Sequence, residues 1–176
     1  MTPLDHMRRA AKVKVMIFDV DGVLTDGSLT YGADGEATKT FNVLDGLGIQ
    51  LLQKSGVATA IISARQSPIV VRRAADLGIV HVYQGKHDKR LAFAELLQLT
   101  GLGAGQCGYI GDDVIDLPLL LQVGFAITVP TGHPEVQHRA HYVTRAGGGR
   151  GAVREVCDML MRAQGTYELA LAPYFV

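Results

Sequence analysis

A doubly wound α/β domain built on one parallel sheet is the fold class that this sequence predicts. Short apolar, β-branched runs alternate with helical patterns along the chain. Those runs are hydrophobic almost without interruption, as strands covered on both faces must be. Polar residues collect where the runs end, and doubly wound sheets bind their ligands at the carboxyl ends of the strands. Taken in order, Val13–Val20 is the first strand, and it closes on Asp19 and Asp21 just before Gly22. Residues 28–42, "SLTYGADGEATKTFN", break the alternation and predict a β-hairpin turning at Gly32-Ala33-Asp34-Gly35. An isolated hairpin is marginal in water, so this one needs a partner surface on its own subunit or on another. Asp45 can cap a helix that closes at Gly56. Val57–Ser63 is a strand, and Ser67-Pro68 is a cap followed by proline at the first helical position of a helix stopped by Gly78. Strand Val80–Tyr83 precedes a helix opened by Asp88 and ending near Gly101. Strand Gly108–Gly111 follows, and then Pro118 stands early in a helix that runs toward Gly124. Strands Phe125–Val129 and Tyr142–Thr144 lead to a last helix, Ala152–Gln164, and to a tail over residues 165–176. Residues 1–176 are expected to form one domain carrying the inserted hairpin.

The composition narrows the classes of partner. The chain has 176 residues, 48% hydrophobic and 19% charged, which is ordinary globular composition. Lys plus Arg and Asp plus Glu both number 17, so no basic excess points to nucleic acid or to an anionic membrane. No segment approaches the ~20 apolar residues of a membrane span. The basic residues Arg8, Arg9, Lys12 and Lys14 precede an apolar run, but that run stops at Asp19 without a cleavage pattern, so no signal peptide is expected. Cys107 and Cys157 form neither a CxxC nor a disulfide framework and read as small core residues. A cytoplasmic location is expected.

Residues two apart on a strand share a face, so Asp19 and Asp21 would repel each other and lose hydration unless something compensated them. Three other strand ends offer partners: Ser63-Ala64-Arg65, then Lys86, Lys89 and Arg90, then Asp112, Asp113 and Asp116 within "GDDVIDLP". If these strands are parallel neighbours, the groups converge on the two acids. Carboxylates from two strand ends make a hard oxygen site suited to Mg²⁺, which keeps several waters and takes one or two protein carboxylates plus a phosphate oxygen. A lysine, a serine hydroxyl and exposed amides suit the remaining phosphate oxygens. Lys89 stands in the first turn of a helix, where the macrodipole disfavours a cation, and locally wrong residues tend to mark functional sites. A carboxylate can attack a phosphoryl group to give an aspartyl-phosphate. A second acid can then protonate the leaving alcohol and deprotonate the hydrolytic water. For that work its pKa must rise above the ordinary ~3.9, as a crowded anionic site would ensure.

The ordered set DxDGxxxD, Ser63, Lys89 and GDDxxD resembles the haloacid dehalogenase superfamily of Mg²⁺-dependent phosphatases. The resemblance implies that Asp19 is the nucleophile and Asp21 the general acid/base, with the Asp21 main-chain carbonyl also meeting the metal. It gives Ser63 and Lys89 to the phosphate, Asp112 to the metal as a direct ligand with Asp19, and Asp116 to metal-bound water; the place of Asp113 stays open. "FNVLDGLGI", "LGIVHVYQGKHDK", "GDDVIDLPLL" and "HYVTRAGGGRGAVREVCDMLM" are similar to the capless, sugar-acid branch of that superfamily. The branch implies an acidic eight-carbon sugar phosphate of lipopolysaccharide synthesis as substrate, with Arg65 and Arg73 binding the sugar. It also implies a homotetramer in which the hairpins assemble and neighbours cover each other's sites. Other sugar-acid phosphates remain open as substrates. A receiver-type signalling domain, which also combines a strand-end Asp, Mg²⁺ and a lysine, is the alternative of another class; Asp21 argues against it because it promotes dephosphorylation.

Several other features read as structural. "GAGQCG", residues 103–108, spells GxGxxG but precedes a strand and is expected to be a loop. His138 and His141 lack the companions of a zinc site. Asp26 reads as a loop group. "AGGGRGA", residues 146–152, could cradle an anion or merely turn the chain, and the aromatic tail "APYFV" would suit docking on a neighbour.

Overall fold

A computed structural model describes residues 3–176. Its main sheet is built from β1 (Val15–Phe18), β4 (Ala58–Ile62), β5 (His81–Tyr83), β6 (Cys107–Ile110), β7 (Phe125–Thr128) and β8 (Tyr142–Val143). They lie in the order β5-β4-β1-β6-β7-β8, and every neighbouring pair is parallel. Chain order therefore reverses between β1 and β6, which opens a crevice above their carboxyl ends.

Alternation along the central strand sorts the core into two layers. Met16 and Phe18 join Ile61, Ile110, Phe125 and Ile127 on one face. That face is covered by α2 (Val43–Lys54), α3 (Pro68–Leu77) and α7 (Ala152–Ala163), through Ile49, Leu52, Val70, Leu77, Val156 and Leu160. Val15 and Ile17 join Ile62, Tyr109 and Ala126 on the other. There α4 (Lys89–Thr100), α5 (Leu117–Leu120) and α6 (Pro134–Arg139) contribute Phe93, Leu96, Leu119 and Val136. Burying such side chains stabilises the fold by about 1.5–3 kcal/mol each.

The expected hairpin is present as β2 (Thr30–Gly32) and β3 (Gly35–Thr38), paired antiparallel apart from the main sheet. Three expectations need correction. The first strand stops at Phe18, because the carbonyl of Val20 accepts the amides of Val23, Leu24 and Thr25 and curls the chain. Asp19 and Asp21 therefore do not share a strand face. Asn42, not Asp45, caps α2, its side chain accepting from the amides of Leu44 and Asp45. Asp45 is buried and points across to α7, where it accepts from the amides of Gly151 and Arg154, so it caps a helix about a hundred residues away in sequence. The helix expected to run toward Gly124 is only Leu117–Leu120, preceded by a 3₁₀ turn over Val114–Asp116.

Among the described residues, three α-helices carry no sequence expectation, one of them α8 (Tyr167–Leu171) in the tail. In α1 (Pro3–Ala10), which packs on α7, the Arg9 guanidinium donates to the carbonyl of Gly124. In α6, Pro134 occupies the first turn and the His133 ring accepts the Glu135 amide. At six residues, α6 is too short for helical periodicity to register. Among the described residues no helix is long and apolar enough to cross a membrane.

Candidate active site

The crevice above β1 and β6 holds a cavity of about 280 Å³ lined by Asp19, Asp21, Ser63, Arg65, Lys89, Asp112 and Asp113, among others. A larger hollow of about 440 Å³ lies near Arg8, Arg9 and Lys12, beside the glycines that precede β6 and β7. That is the opposite end of the sheet, and the chemistry is not there.

Asp19 continues the alternation of Val15 and Ile17 toward α4, whose first residue is Lys89. The Lys89 ammonium is buried and sits 2.8 Å from Asp19 Oδ1, 2.6 Å from Asp116 Oδ1 and 3.0 Å from the Tyr109 hydroxyl. Tyr109 also donates to Asp116 Oδ1. The other Asp116 oxygen accepts the main-chain amides of Asp112 and Asp113, at 2.9 and 3.1 Å. Asp116 is completely buried, and its two oxygens receive four donors. It fixes at once the lysine that faces Asp19 and the loop that presents Asp112. Two close approaches keep this geometry tight. A Cβ at Gly22, where φ is +88°, would stand 2.1 Å from Asp112 Oδ2, and one at Gly111 would stand 2.4 Å from Asp116 Cγ.

The electrostatics leave room for a cation. Oxygens of Asp19, Asp112 and Asp116 all lie within 4.8 Å of one another. Among the described residues Lys89 is the cation that faces them, so negative charge is in excess. Burial, and next the charge of Asp116, push the Asp19 carboxyl up to about 7, although Lys89 opposes the rise. Burial followed by the charges of Asp116 and Asp113 does the same to Asp112. Lys89 is raised because its two carboxylates outweigh the burial that would lower it. A hard, all-oxygen cluster in this state fits a divalent cation such as Mg²⁺. The anionic crowding expected at Asp21 thus falls on Asp19 and Asp112.

Asp21 stands among cations instead. Its Oδ1 pairs with Lys39, directly after β3, and its Oδ2 lies 3.5 Å from Arg65 Nε. Lys39 also lies 2.9 Å from Glu36 Oε1, and its side chain is 1% exposed. Burial alone would lower the Lys39 ammonium, but its hydrogen bond to Asp21 and its ion pair with Glu36 leave it raised. Glu36 accepts the Ser67 hydroxyl, and Arg65 donates to the Tyr31 hydroxyl at 2.9 Å. The hairpin therefore finds a partner surface on its own chain. Ser67 precedes α3 as expected, but its side chain does not cap that helix and is committed to the hairpin.

Of the other candidates, Ser63 is buried on the cavity wall, with its amide donating to Tyr83 and its carbonyl accepting from Lys86. Asp113 lines the rim and caps the 3₁₀ turn through the Val114 amide. Arg73 does not line the cavity. Its guanidinium lies over the Phe41 ring at 5.6 Å and donates to the carbonyl of Asn42, at the entrance to α2. Asp26 pairs with Arg150 in the loops. The glycine run packs its backbone against the loop after Asp21, with the Gly149 amide donating to Val23 and a Cβ at Gly148 falling 1.8 Å from the Gly22 carbonyl oxygen. His141 accepts the Ala126 amide, and both cysteines are buried and free. Lys39, Glu36 and Tyr109 were not among the sequence candidates. A buried tyrosine in an otherwise apolar strand, and an acid and a lysine in an insertion beside the first catalytic loop, were the available signals.

Residues 73–152 match the family model of haloacid dehalogenase-like hydrolases. The chain is 48% identical over 164 residues to 3-deoxy-D-manno-octulosonate 8-phosphate phosphatase KdsC of Yersinia pestis, covering 93% of this chain and 88% of the relative. It is 46% identical over 166 residues to the KdsC of Escherichia coli K12, covering 94% and 88%. Among solved structures it is similar to the 3-deoxy-D-manno-octulosonate 8-phosphate phosphatase of Moraxella catarrhalis in complex with magnesium, phosphate and KDO. That match has 41% identity and a TM-score of 0.95 over 98% of this chain and 99% of the other.

Proposed function

The chain belongs to the haloacid dehalogenase-like hydrolases, on the branch of the 3-deoxy-D-manno-octulosonate 8-phosphate phosphatases, and from that membership we propose how its residues work. It is a Mg²⁺-dependent phosphomonoesterase that releases inorganic phosphate and the free sugar acid from 3-deoxy-D-manno-octulosonate 8-phosphate, a step of lipopolysaccharide synthesis. The observation that carries the mechanism is the Asp19 carboxylate 2.8 Å from a buried lysine, in a crevice shared with Ser63 and Asp112.

Asp19 attacks the phosphorus, and the sugar oxygen leaves with a proton from Asp21. Asp21 then takes a proton from the water that cleaves the aspartyl-phosphate, which regenerates Asp19 and frees phosphate. Lys89 and Ser63 hold the oxygens of the transferred group. Asp116 keeps Lys89 and the Asp112 loop in place, and Asp113 stands outside this set. Asp19, Asp112 and the main-chain carbonyl of Asp21 would hold Mg²⁺, which when bound offsets the charge of the phosphoryl oxygens. Arg65, on the cavity wall, is suited to the sugar carboxylate. Arg73, which lies over Phe41 and donates to the Asn42 carbonyl, is proposed to bind the sugar together with Arg65.

The sheet order speaks against a receiver-type signalling domain, whose flavodoxin-like sheet runs 2-1-3-4-5, whereas the six strands here run 3-2-1-4-5-6 when numbered along the sheet-forming chain. We further propose a cytoplasmic homotetramer. The exposed Leu29, Tyr31, Val43 and Leu44 around the hairpin support assembly, and the two free cysteines support a reducing compartment. Phosphate release measured over a panel of sugar and sugar-acid phosphates, with and without EDTA, tests the reading. The octulosonate 8-phosphate should be preferred and EDTA should stop turnover. Equal rates across the panel would overturn the substrate, and EDTA-resistant turnover would overturn the mechanism.

A further inference from the structure

The hairpin delivers a charged side chain into the reaction centre. Lys39 follows β3 directly, its side chain is 1% exposed, and its ammonium is shared between Asp21 and Glu36. Glu36 is in turn tied to the Ser67 hydroxyl ahead of α3, so the lysine is braced from behind. Arg65 reaches the second oxygen of Asp21 from the end of β4. The insertion thus holds Oδ1 of the acid/base, while Oδ2 has a looser ion pair at 3.5 Å with Arg65 in the loop after β4, whose Nε makes no hydrogen bond. A buried lysine stem has little freedom to choose another partner.

We propose that Lys39 is a positioning residue for Asp21, and that the hairpin completes the half of the active site that handles the leaving-group proton. The inference rests on the phosphatase reading and deepens it. With Lys39 anchored to Glu36, the Asp21 carboxyl on the cavity wall is fixed through Oδ1, which leaves Oδ2 as the oxygen that hands a proton to the departing alcohol. Without Lys39, Arg65 alone would hold Asp21, at a longer distance and from a side chain that is 39% exposed. The hairpin would then act on chemistry as well as on access, in a chain that carries no separate cap domain.

Leaving-group dependence separates this role from a scaffolding one. A sugar alkoxide needs the proton that Asp21 supplies, whereas p-nitrophenolate leaves without it. In Lys39→Met, the first-turnover release of sugar from its phosphate should fall by about 100-fold, within the range that general acid catalysis contributes. First-turnover release of p-nitrophenol from p-nitrophenyl phosphate should fall by less than about threefold, and Lys39→Arg should recover a large part of the loss. An equal loss on both substrates, or no loss on the sugar phosphate, would overturn the proposal. Circular dichroism and a thermal melt accompany each variant; if Lys39→Met does not fold, Glu36→Gln, which removes the brace, must show the same selective loss or the proposal falls. The assay uses whichever sugar-acid phosphate the wild type turns over fastest. A wrong substrate would therefore overturn the functional reading and leave the Lys39 pattern to be judged separately.

Discussion

Asp19 is held by the core of the sheet, whereas Asp21, two residues further on, is held by an insertion. Around Asp19, every partner comes from an element that also packs the interior: Lys89 opens α4, Tyr109 lies in β6, and Asp116 sits fully buried under the loop after β6. Around Asp21 the partners are Lys39 from the hairpin and Arg65 from a strand-end loop, with Glu36 and Tyr31 behind them. The first region is dry, over-connected and short of positive charge. The second is partly exposed, sets two cations against two acids and depends on a hairpin that pairs with no strand of the main sheet. A nucleophile must not move while it forms a bond, and burial secures that. An acid/base must admit an alcohol and then a water, so it is placed where a small element can be refitted without disturbing the core.

The sharpest test of this contrast is Asp19→Asn, which should lower turnover by on the order of 10⁴ or more, as loss of a covalent nucleophile does. Its melting temperature in EDTA should nevertheless equal or exceed that of the wild type. Asparagine removes a charge that burial already opposes. A large fall in melting temperature would show that the Asp19 charge is a structural necessity and would break the comparison. Lys89→Met should be worse for the fold, because it leaves Asp19 and Asp116 buried without their common cation. A loss of about 3–5 kcal/mol in chemical denaturation is expected, alongside loss of activity. A cost near that of an exposed ion pair would mean that the nest is looser than its distances indicate.

The excess negative charge also predicts a pH dependence. Asp19 and Asp112 titrate near 7 in the metal-free fold against 3.8 ordinarily, so the folded form keeps protons that the unfolded chain has already released. Their contribution to stability is fully present below the unfolded value and is lost as the pH rises through 7. The metal-free protein should therefore melt higher at about pH 5.5 than at about pH 8, and Mg²⁺ should raise the melting temperature more at the higher pH, where the carboxylates are ionised. A melt that ignores pH, or a larger Mg²⁺ shift in acid, would contradict the charge excess assigned to this half of the site.

The two halves were also unequally legible. The strands announced themselves by continuous apolar runs, and Asp19, Lys89 and Asp112 by their places at the ends of those runs. The misplaced cation at Lys89 was a local anomaly that only a tertiary partner resolves, and the structure supplies two carboxylates and a tyrosine. Period-two reasoning failed at Asp21, because one carbonyl at Val20 gathers three amides and ends the extended conformation. Asp45 misled for a related reason. An acid in the first turn of a helix has the same spelling whether it serves that helix or, as here, another brought close by folding. Lys39 and Glu36 were invisible because a charged hairpin residue reads as solvated until the surface it lies on is known. Helices α1 and α6 have eight and six residues, too few for a periodic pattern to rise above chance.

The close approaches at Gly22 and Gly111 bear on how this site can change over time. Where a methyl group would stand about 2 Å from Asp112 or Asp116, no other amino acid is a small step away. A substitution at either position displaces a carboxylate before it can alter anything else. Change is thereby easier at exposed positions of the hairpin such as Leu29 and Ala33, outside the Glu36–Lys39 brace, than in the machinery that breaks the ester. The site is divided into a part that may vary and a part that may not, and the boundary between them runs through a single short loop between Asp19 and Thr25.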